Sequence, residues 1–247
     1  MFIKTNKGQV DQKWYMGLTY EDDNGNDTDY TIGTDGTIAA VALEDGYGDE
    51  FGIIKGEEAY LNINTIIKNI DKRFYVDATN NLVMFTDATK TYKTKIGGKT
   101  INETENTDYV ISFMDGKNCY VNVKFVKKYV DFDYKVVKAE GKSPARIVLK
   151  YTSGEKNQMT VKSNIEMRTK ADYQNLIVTT LKKNTKVTVL EESGDWTKVG
   201  TDDGFMGYVP AKKLKDKETK KTEFKSDADT YTHVLMNKKI SLGWNAI

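Results

Sequence analysis

Short apolar runs rich in Val, Ile, Tyr, Thr and Phe are cut repeatedly by Gly, Asn and Asp along this chain. That pattern predicts a β-rich α+β protein with few helices. Residues 37–43, 74–77, 82–86, 109–114 and 186–191 are such runs. In the last of them Val187 and Val189 point one way and Lys186 and Thr188 the other, as a half-buried strand requires. Residues 21–28 are polar and rich in Asp, Asn and Gly, which predicts a loop. Their weak likeness to a calcium loop lacks the bidentate Glu and the flanking helices that such a site needs.

The strongest internal signal is a repeat offset by 60 residues: residues 56–71 and 116–131 align without a gap. Gly56/Gly116, Tyr60/Tyr120, Asn62/Asn122, Lys68/Lys128 and Asp71/Asp131 are identical, and several aliphatic residues exchange for one another. Each copy reads as a Gly turn, a short strand, an Asn N-cap and a two-turn helix. The Asn side chain accepts from the orphan amides of that first turn. Apolar residues at 63, 66 and 70, and at 123, 126 and 130, fall on one helix face. A hairpin follows each helix: residues 73–77 with 82–86 around Asn80-Asn81, and residues 134–138 with 147–151 around a longer loop. The unit is strand–helix–hairpin, used twice, and its two copies are expected to pack together because neither buries much alone.

This unit resembles the copper amine oxidase N-terminal domain-like family over roughly residues 30–155. The carrying steps are Tyr60-Leu61-Asn62-Ile63 and Tyr120-Val121-Asn122-Val123, with Asn where the family often has Pro. The resemblance implies a stalk or accessory module of a bacterial surface protein. The copper in the family's name is excluded: the chain has one His, His233, which lies outside the region, so three imidazoles cannot converge.

Residues 163–214 contain five short strand patterns, 165–168, 177–181, 186–191, 196–200 and 206–210, separated by turns at Asn184, Ser193-Gly194 and Asp203-Gly204. Such spacing predicts a small barrel. The stretch resembles the bacterial SH3-type domain through Met167-Arg168, residues 180–187, Trp196-Thr197-Lys198-Val199 and Gly204-Phe205-Met206-Gly207-Tyr208-Val209. Asn184 stands where Gly is usual, and Asn tolerates the left-handed conformation of that turn. The opening, Glu166 to Ala171, departs from the family's Asn-Val-Arg-x-Gly-Pro, which alters the long first loop where relatives bind ligand. The resemblance implies binding to peptidoglycan or another cell-wall peptide or glycan, or plain spacing between domains. Tyr173, Asp195, Trp196 and Tyr208 are the candidate groove residues. Their rings stack on a peptide or sugar in one reading, and pack the barrel or its strand edges in the other.

Beyond Leu214, residues 215–229 are charged and aperiodic, which predicts a solvated linker rather than a nucleic-acid patch. Apolar character returns at residues 231–234 and 239–247. The latter resembles the first barrel strand of family 18 glycoside hydrolases, whose position after two accessory modules implies a downstream catalytic domain in the same chain. The acid motif of that family, D-x-x-D-x-D-x-E, is absent; residues 45–50 (Asp-Gly-Tyr-Gly-Asp-Glu) are a look-alike with the wrong final spacing.

Composition narrows the chemistry further. The 247 residues carry 37 Lys and Arg against 36 Asp and Glu, a net charge of about +1 that gives no pull toward nucleic acid or an anionic membrane. One Cys, Cys119, excludes an intrachain disulfide. No apolar run reaches the 18 residues of a membrane span. The expected organisation is a two-repeat region at residues 1–157 (copies at about 30–90 and 91–157), an SH3-type domain at 158–214, and a linker with the first strand of a truncated barrel at 215–247. The expected function is a non-catalytic, wall-associated or spacer region of a secreted glycosidase, extracellular or at the cell surface. Neither a cofactor, a metal nor a catalytic residue is expected. The alternative is a stand-alone surface adhesion protein with no enzymatic partner domain.

Overall fold

The computed structural model describes residues 4–33 and 35–225. His233 and residues 239–247, where a barrel strand is expected, lie outside the described residues.

The chain opens with an extended strap ahead of a single helical turn, α1 (Gln12–Tyr15), capped by the Asp11 carboxylate on the amides of Lys13 and Trp14. A small hairpin follows, β1 (Thr19–Glu21) and β2 (Asp27–Asp29). Its turn, residues 22–26, is the middle of the loop expected at 21–28, whose ends are strand, and there the Asp22 carboxylate accepts from the amides of Asn24 and Asn26 at 2.9 and 2.8 Å. Those donors hold the Asp22 carboxyl below the usual carboxylate range.

Next come β3 (Thr37–Ala42), β4 (Gly52–Lys55) and β5 (Glu58–Asn62), then α2 (Ile63–Thr65), which widens into a π-helical turn at Ile66–Ile70. A three-stranded meander follows: β6 (Phe74–Asp77), β7 (Leu82–Thr86) and β8 (Thr91–Lys95). The two-residue strands β9 (Thr100–Ile101) and β10 (Glu105–Asn106) pair with each other. The chain then repeats the earlier theme with β11 (Ser112–Asp115), β12 (Asn118–Asn122) and α3 (Val123–Tyr129), and continues into β13 (Asp133–Val137) and β14 (Ala145–Lys150).

These form a seven-stranded sheet in the order β11-β12-β5-β4-β3-β14-β13. All its pairs are antiparallel except β14 with β3, which is parallel. Asn62 and Asn122 do the same job at equivalent places, accepting from the amides of Asn64 and Lys124 at 2.9 and 2.8 Å. Their strands pair directly: Tyr60 lies opposite Asn122 and Asn62 opposite Tyr120. The hairpins diverge, however. The first joins the separate β6–β8 meander, and the second extends the main sheet. The likeness of the two segments is therefore local to the strand and its capped helix.

Each face of the main sheet has its own core, because alternate residues point to opposite sides. Ala39, Val41, Leu61 and Val121 face α2, α3 and the meander, where Ile66, Phe74, Phe85 and Phe125 are fully buried. Ala40, Ile53, Tyr60 and Tyr120 face the other way, into one core with Val161, Met167, Val199 and Val209. Cys119 is buried in the first core, and burial pushes its thiol up to about 11, which disfavours the reactive thiolate.

The second core includes the last part of the chain: β15 (Gly154–Val161), β16 (Ile165–Arg168), β17 (Ile177–Leu181), β18 (Lys186–Ser193), β19 (Trp196–Gly200), β20 (Met206–Pro210) and β21 (Leu214–Thr222). Their order is β17-β16-β20-β19-β18-β15-β21. Pairing among the described residues leaves β17 and β21 as the two ends, so the sheet is not the closed barrel expected from the strand spacing. Asn184 takes φ of +68°, the left-handed conformation its turn requires.

The linker expected at residues 215–229 is corrected over its first part, and residues 226–229 lie outside the described residues. Leu214–Thr222 is a strand laddered onto β15 from Gly154↔Thr222 to Val161↔Leu214. Nearly all its side chains are exposed, so no apolar alternation marks it in the sequence; backbone pairing and facing charges such as Glu155 opposite Lys221 hold it. Dense Lys on this edge also discourages further strand pairing.

The two sheets meet at a joint that the loop at residues 201–205 closes. Gly204, at φ of +85°, is buried there, and a Cβ on it would sit 2.9 Å from Val148 Cγ2 and 3.2 Å from Ala42 Cβ. Tyr47 donates its hydroxyl to the Gly204 carbonyl at 2.9 Å and accepts from the Met206 amide at 3.2 Å. Tyr15 donates to the Met206 carbonyl at 2.9 Å and meets Tyr47 edge to ring at 5.8 Å. Arg146, 3% exposed, donates to the carbonyls of Pro144 and Asp203 at 2.8 and 2.6 Å and stacks on Phe205 with its Cζ 4.3 Å from the ring centre.

Gly204→Ala is expected to destabilise the protein by at least about 2 kcal/mol, because overpacking adds to left-handed strain. Gly141→Ala, at φ of +58° with nothing within 4 Å of the new Cβ, isolates the strain alone and is expected to cost about half as much. Urea unfolding of both variants checks the difference.

Burial also pushes the Tyr15 phenol from the ordinary 10 up to about 12, and raises Tyr47 in the same direction. The unfolded phenols ionise first, so the stability these rings contribute is intact below about pH 10 and is lost as pH rises toward about 12. Urea midpoints measured from pH 9 to 12 should fall less steeply for Tyr15→Phe than for the unsubstituted chain. Equal slopes would show that Tyr15 ionises equally in both states.

Candidate functional site

The outer face of the β16–β20–β19 strands is built by strand alternation. Thr197 and Val199 of β19 turn into the core, so Trp196 and Lys198 turn out; Trp196 lies opposite Pro210 and Lys198 opposite Tyr208. Tyr208 in turn lies opposite Arg168. Gly207 has no room for a side chain, since a Cβ there would sit 2.6 Å from the Arg168 carbonyl oxygen. That close approach draws β16 and β20 together under the aromatic face.

Of the four residues singled out in the sequence, the structure brings Tyr173 and Trp196 into ring contact, edge to face at 4.8 Å and 60°. Both are half-buried, leaving part of each ring to solvent. Tyr208 is half-buried on the same sheet face beside Arg168 and close enough to Tyr15 to affect its ionisation. Asp195 is exposed in the turn after Gly194, and its backbone carbonyl accepts from the Ala211 amide at 2.8 Å. Its carboxylate makes no contact that ties it to the rings. The site is thus an aromatic pair with a third ring on the same sheet face, and the exposed Asp195 precedes Trp196 in the turn.

Arg168 is the residue that the sequence quoted only as part of a motif. It is 1% exposed, the largest fully buried side chain among the described residues. Its Nη1 donates to three backbone carbonyls, Asn175 at 2.6 Å, Asn6 at 2.7 Å and Tyr173 at 3.0 Å, while Nη2 pairs with the Glu166 carboxylate. The guanidinium thereby fixes the 169–176 loop that carries Tyr173, and its Cζ lies 5.9 Å from that ring's centre. A buried cation is tolerable because its donors meet carbonyl oxygens and a counter-charge. The clue available in the sequence was an Arg at the end of a short strand pattern that leads into the core. Its partner at residue 6 is too far along the chain to be read, and those at residues 173–175 depend on how the intervening loop folds back.

The Asp-Gly-Tyr-Gly-Asp-Glu look-alike does structural work. Its Asp45 carbonyl accepts from Lys198 Nζ at 2.8 Å, Asp49 pairs with Lys68 at 2.5 Å, and Glu50 accepts from Asn62 Nδ2 at 3.3 Å. No group of three or more metal-ligating side chains occurs among the described residues. Nor is any helix among them long and apolar enough to cross a membrane.

Comparison with known families agrees with this geometry. Residues 163–215 match the bacterial SH3 domain family, a stretch that contains Tyr173, Asp195, Trp196 and Tyr208 and the Arg168 beneath them. No curated protein and no solved structure matches the chain. Residues 163–215 are a bacterial SH3 domain.

Proposed function

We propose that this chain is a cell-wall-associated accessory region whose bacterial SH3 domain holds peptidoglycan through the Tyr173–Trp196 face. The observation that carries the reading is that ring pair, half-open to solvent inside residues matching a family whose members are commonly wall-binding modules. Paired rings offer apolar faces to the axial C–H groups of a sugar or to a peptide backbone. Tyr208 extends the platform, and Asp195 supplies a rim carboxylate for an amine or hydroxyl. The location that fits is outside the cell or at its surface.

Residues 30–155 are proposed as a duplicated module similar to the copper amine oxidase N-terminal domain-like family. The matched caps at Asn62 and Asn122 and the pairing of Tyr60 with Asn122 support it. Its proposed role is to carry the SH3 domain rather than to react. A family 18 glycosidase domain farther along the same protein is the proposed enzyme, on the strength of residues 239–247. With one His and one Cys and without the D-x-x-D-x-D-x-E motif, residues 1–247 are proposed to be non-catalytic.

Sedimentation with purified peptidoglycan checks the binding reading. Trp196→Ala and Tyr173→Ala should each weaken retention about tenfold, equivalent to about 1.4 kcal/mol. Retention unchanged in both variants would remove the aromatic face from any role. Chitin oligomers should stay intact in the presence of this chain; turnover abolished by Glu50→Gln would refute the non-catalytic assignment.

A further inference from the structure

The edge of the SH3 sheet is already occupied by the chain's own N-terminus. Gln9 forms a parallel bridge with Ile177 at the start of β17. The Ile177 amide donates to the Gly8 carbonyl and the Val10 amide to the Ile177 carbonyl, both at 2.9 Å. The Asn6 amide donates to the Tyr173 carbonyl at 2.8 Å, and the Asn6 carbonyl accepts from Arg168 Nη1 at 2.7 Å. All four bonds engage the backbone of the strap, so what is read is an extended chain rather than a set of side chains.

The strap is held lightly for something seated on a buried arginine. Among residues 4–10 only Val10 is buried; Lys4, Thr5, Lys7, Gly8 and Gln9 are exposed and Asn6 is intermediate. Just beyond it, Gln12 donates to the Val178 carbonyl at 2.7 Å but leaves its own Oε1 buried without a partner. An unsatisfied buried acceptor counts against the docked form. Segments with few buried apolar contacts open at low free energy.

We propose that the β17 edge, with the Arg168 guanidinium at one end, is a strand-addition site for an extended peptide in trans, which the strap at residues 6–10 covers in cis. The ligand requirements follow from the occupant. A small residue is needed at the place of Gly8, where a Cβ would meet Leu176 Cδ2 and Asn6 Oδ1 at 3.1 Å each. An apolar residue is needed at the place of Val10, which is 7% exposed. A free carbonyl is needed at the place of Asn6, facing Arg168. A parallel strand must then follow the direction the strap takes now. The strap meets the Tyr173 loop only through backbone, so Trp196→Ala is expected to weaken wall binding and leave peptide binding unchanged, which separates failure of one reading from failure of the other.

The test uses the full chain and a labelled peptide of residues 4–12. The strap is present at an effective concentration of about 1 mM, so the unsubstituted protein should bind the peptide weakly. Val10→Pro in the protein removes one ladder donor and should loosen the strap, tightening peptide binding at least about tenfold. The same peptide carrying Val10→Pro should not bind either protein. Equal affinity for both proteins, no binding to either, or undiminished binding of the Pro peptide would overturn the proposal. Should Val10→Pro fail to fold, amide exchange in the unsubstituted chain decides. The Ile177 amide should exchange about a hundredfold faster than the Val161 amide, which donates to Thr185 inside the same domain. Equal rates would mean that the strap opens only with the whole fold, which also overturns it.

Discussion

The buried guanidinium of Arg146 fixes how the two sheets meet, and much of the molecule follows from that contact. A cation at 3% exposure must spend its donors on nearby acceptors, and here they are the carbonyl of Pro144 on its own strand's approach and that of Asp203 on the SH3 domain. Burial pushes its pKa down, against the pull of Asp203 and Tyr47, and the two carbonyls and the Phe205 ring offset part of the cost of removing the cation from water. Around it Gly204 closes to the van der Waals limit, and Tyr47 bonds both sides of the loop. The outer face of the first sheet and the interior of the SH3 domain consequently share one core, from Ala40 and Ile53 to Val199 and Val209.

That joint has a functional reading. A module on a flexible tether would carry its aromatic face in any direction; the SH3 domain here is seated on the first sheet. The strap reaches the same domain, where Arg168 meets Asn6 with the guanidinium that holds the Tyr173 loop. The two buried arginines thus act alike, each meeting backbone carbonyls from distant parts of the chain. One orients the domain, and the other shapes its aromatic face.

The elements that alternate or repeat were legible in the sequence. Leu82–Thr86, Ile165–Arg168, Ile177–Leu181, Trp196–Gly200 and Met206–Pro210 are strands where the pattern placed them. The caps at Asn62 and Asn122 were visible because an N-cap is a local device. Leu214–Thr222 was not visible, because its side chains are solvated on both faces and only the ladder to β15 makes it a strand. The open end of the SH3 sheet was hidden too: the spacing was read as a small barrel, but spacing reports strands and leaves closure open. At the candidate site the aromatic residues could be named, but Arg168 could not be given its role: its acceptors lie on a strap and a loop that only folding brings together.

Whether the two sheets behave as one body is the central claim, and amide exchange followed along an equilibrium urea titration tests it most directly. The Asn122 amide, bonded to Ile111 in the first sheet, and the Val161 amide, bonded to Thr185 in the SH3 domain, should lose protection at the same urea concentration and with the same slope. Loss at Val161 well before loss at Asn122 would show that the SH3 domain unfolds on its own, and that the Arg146 joint does not bind the two sheets into a single unit.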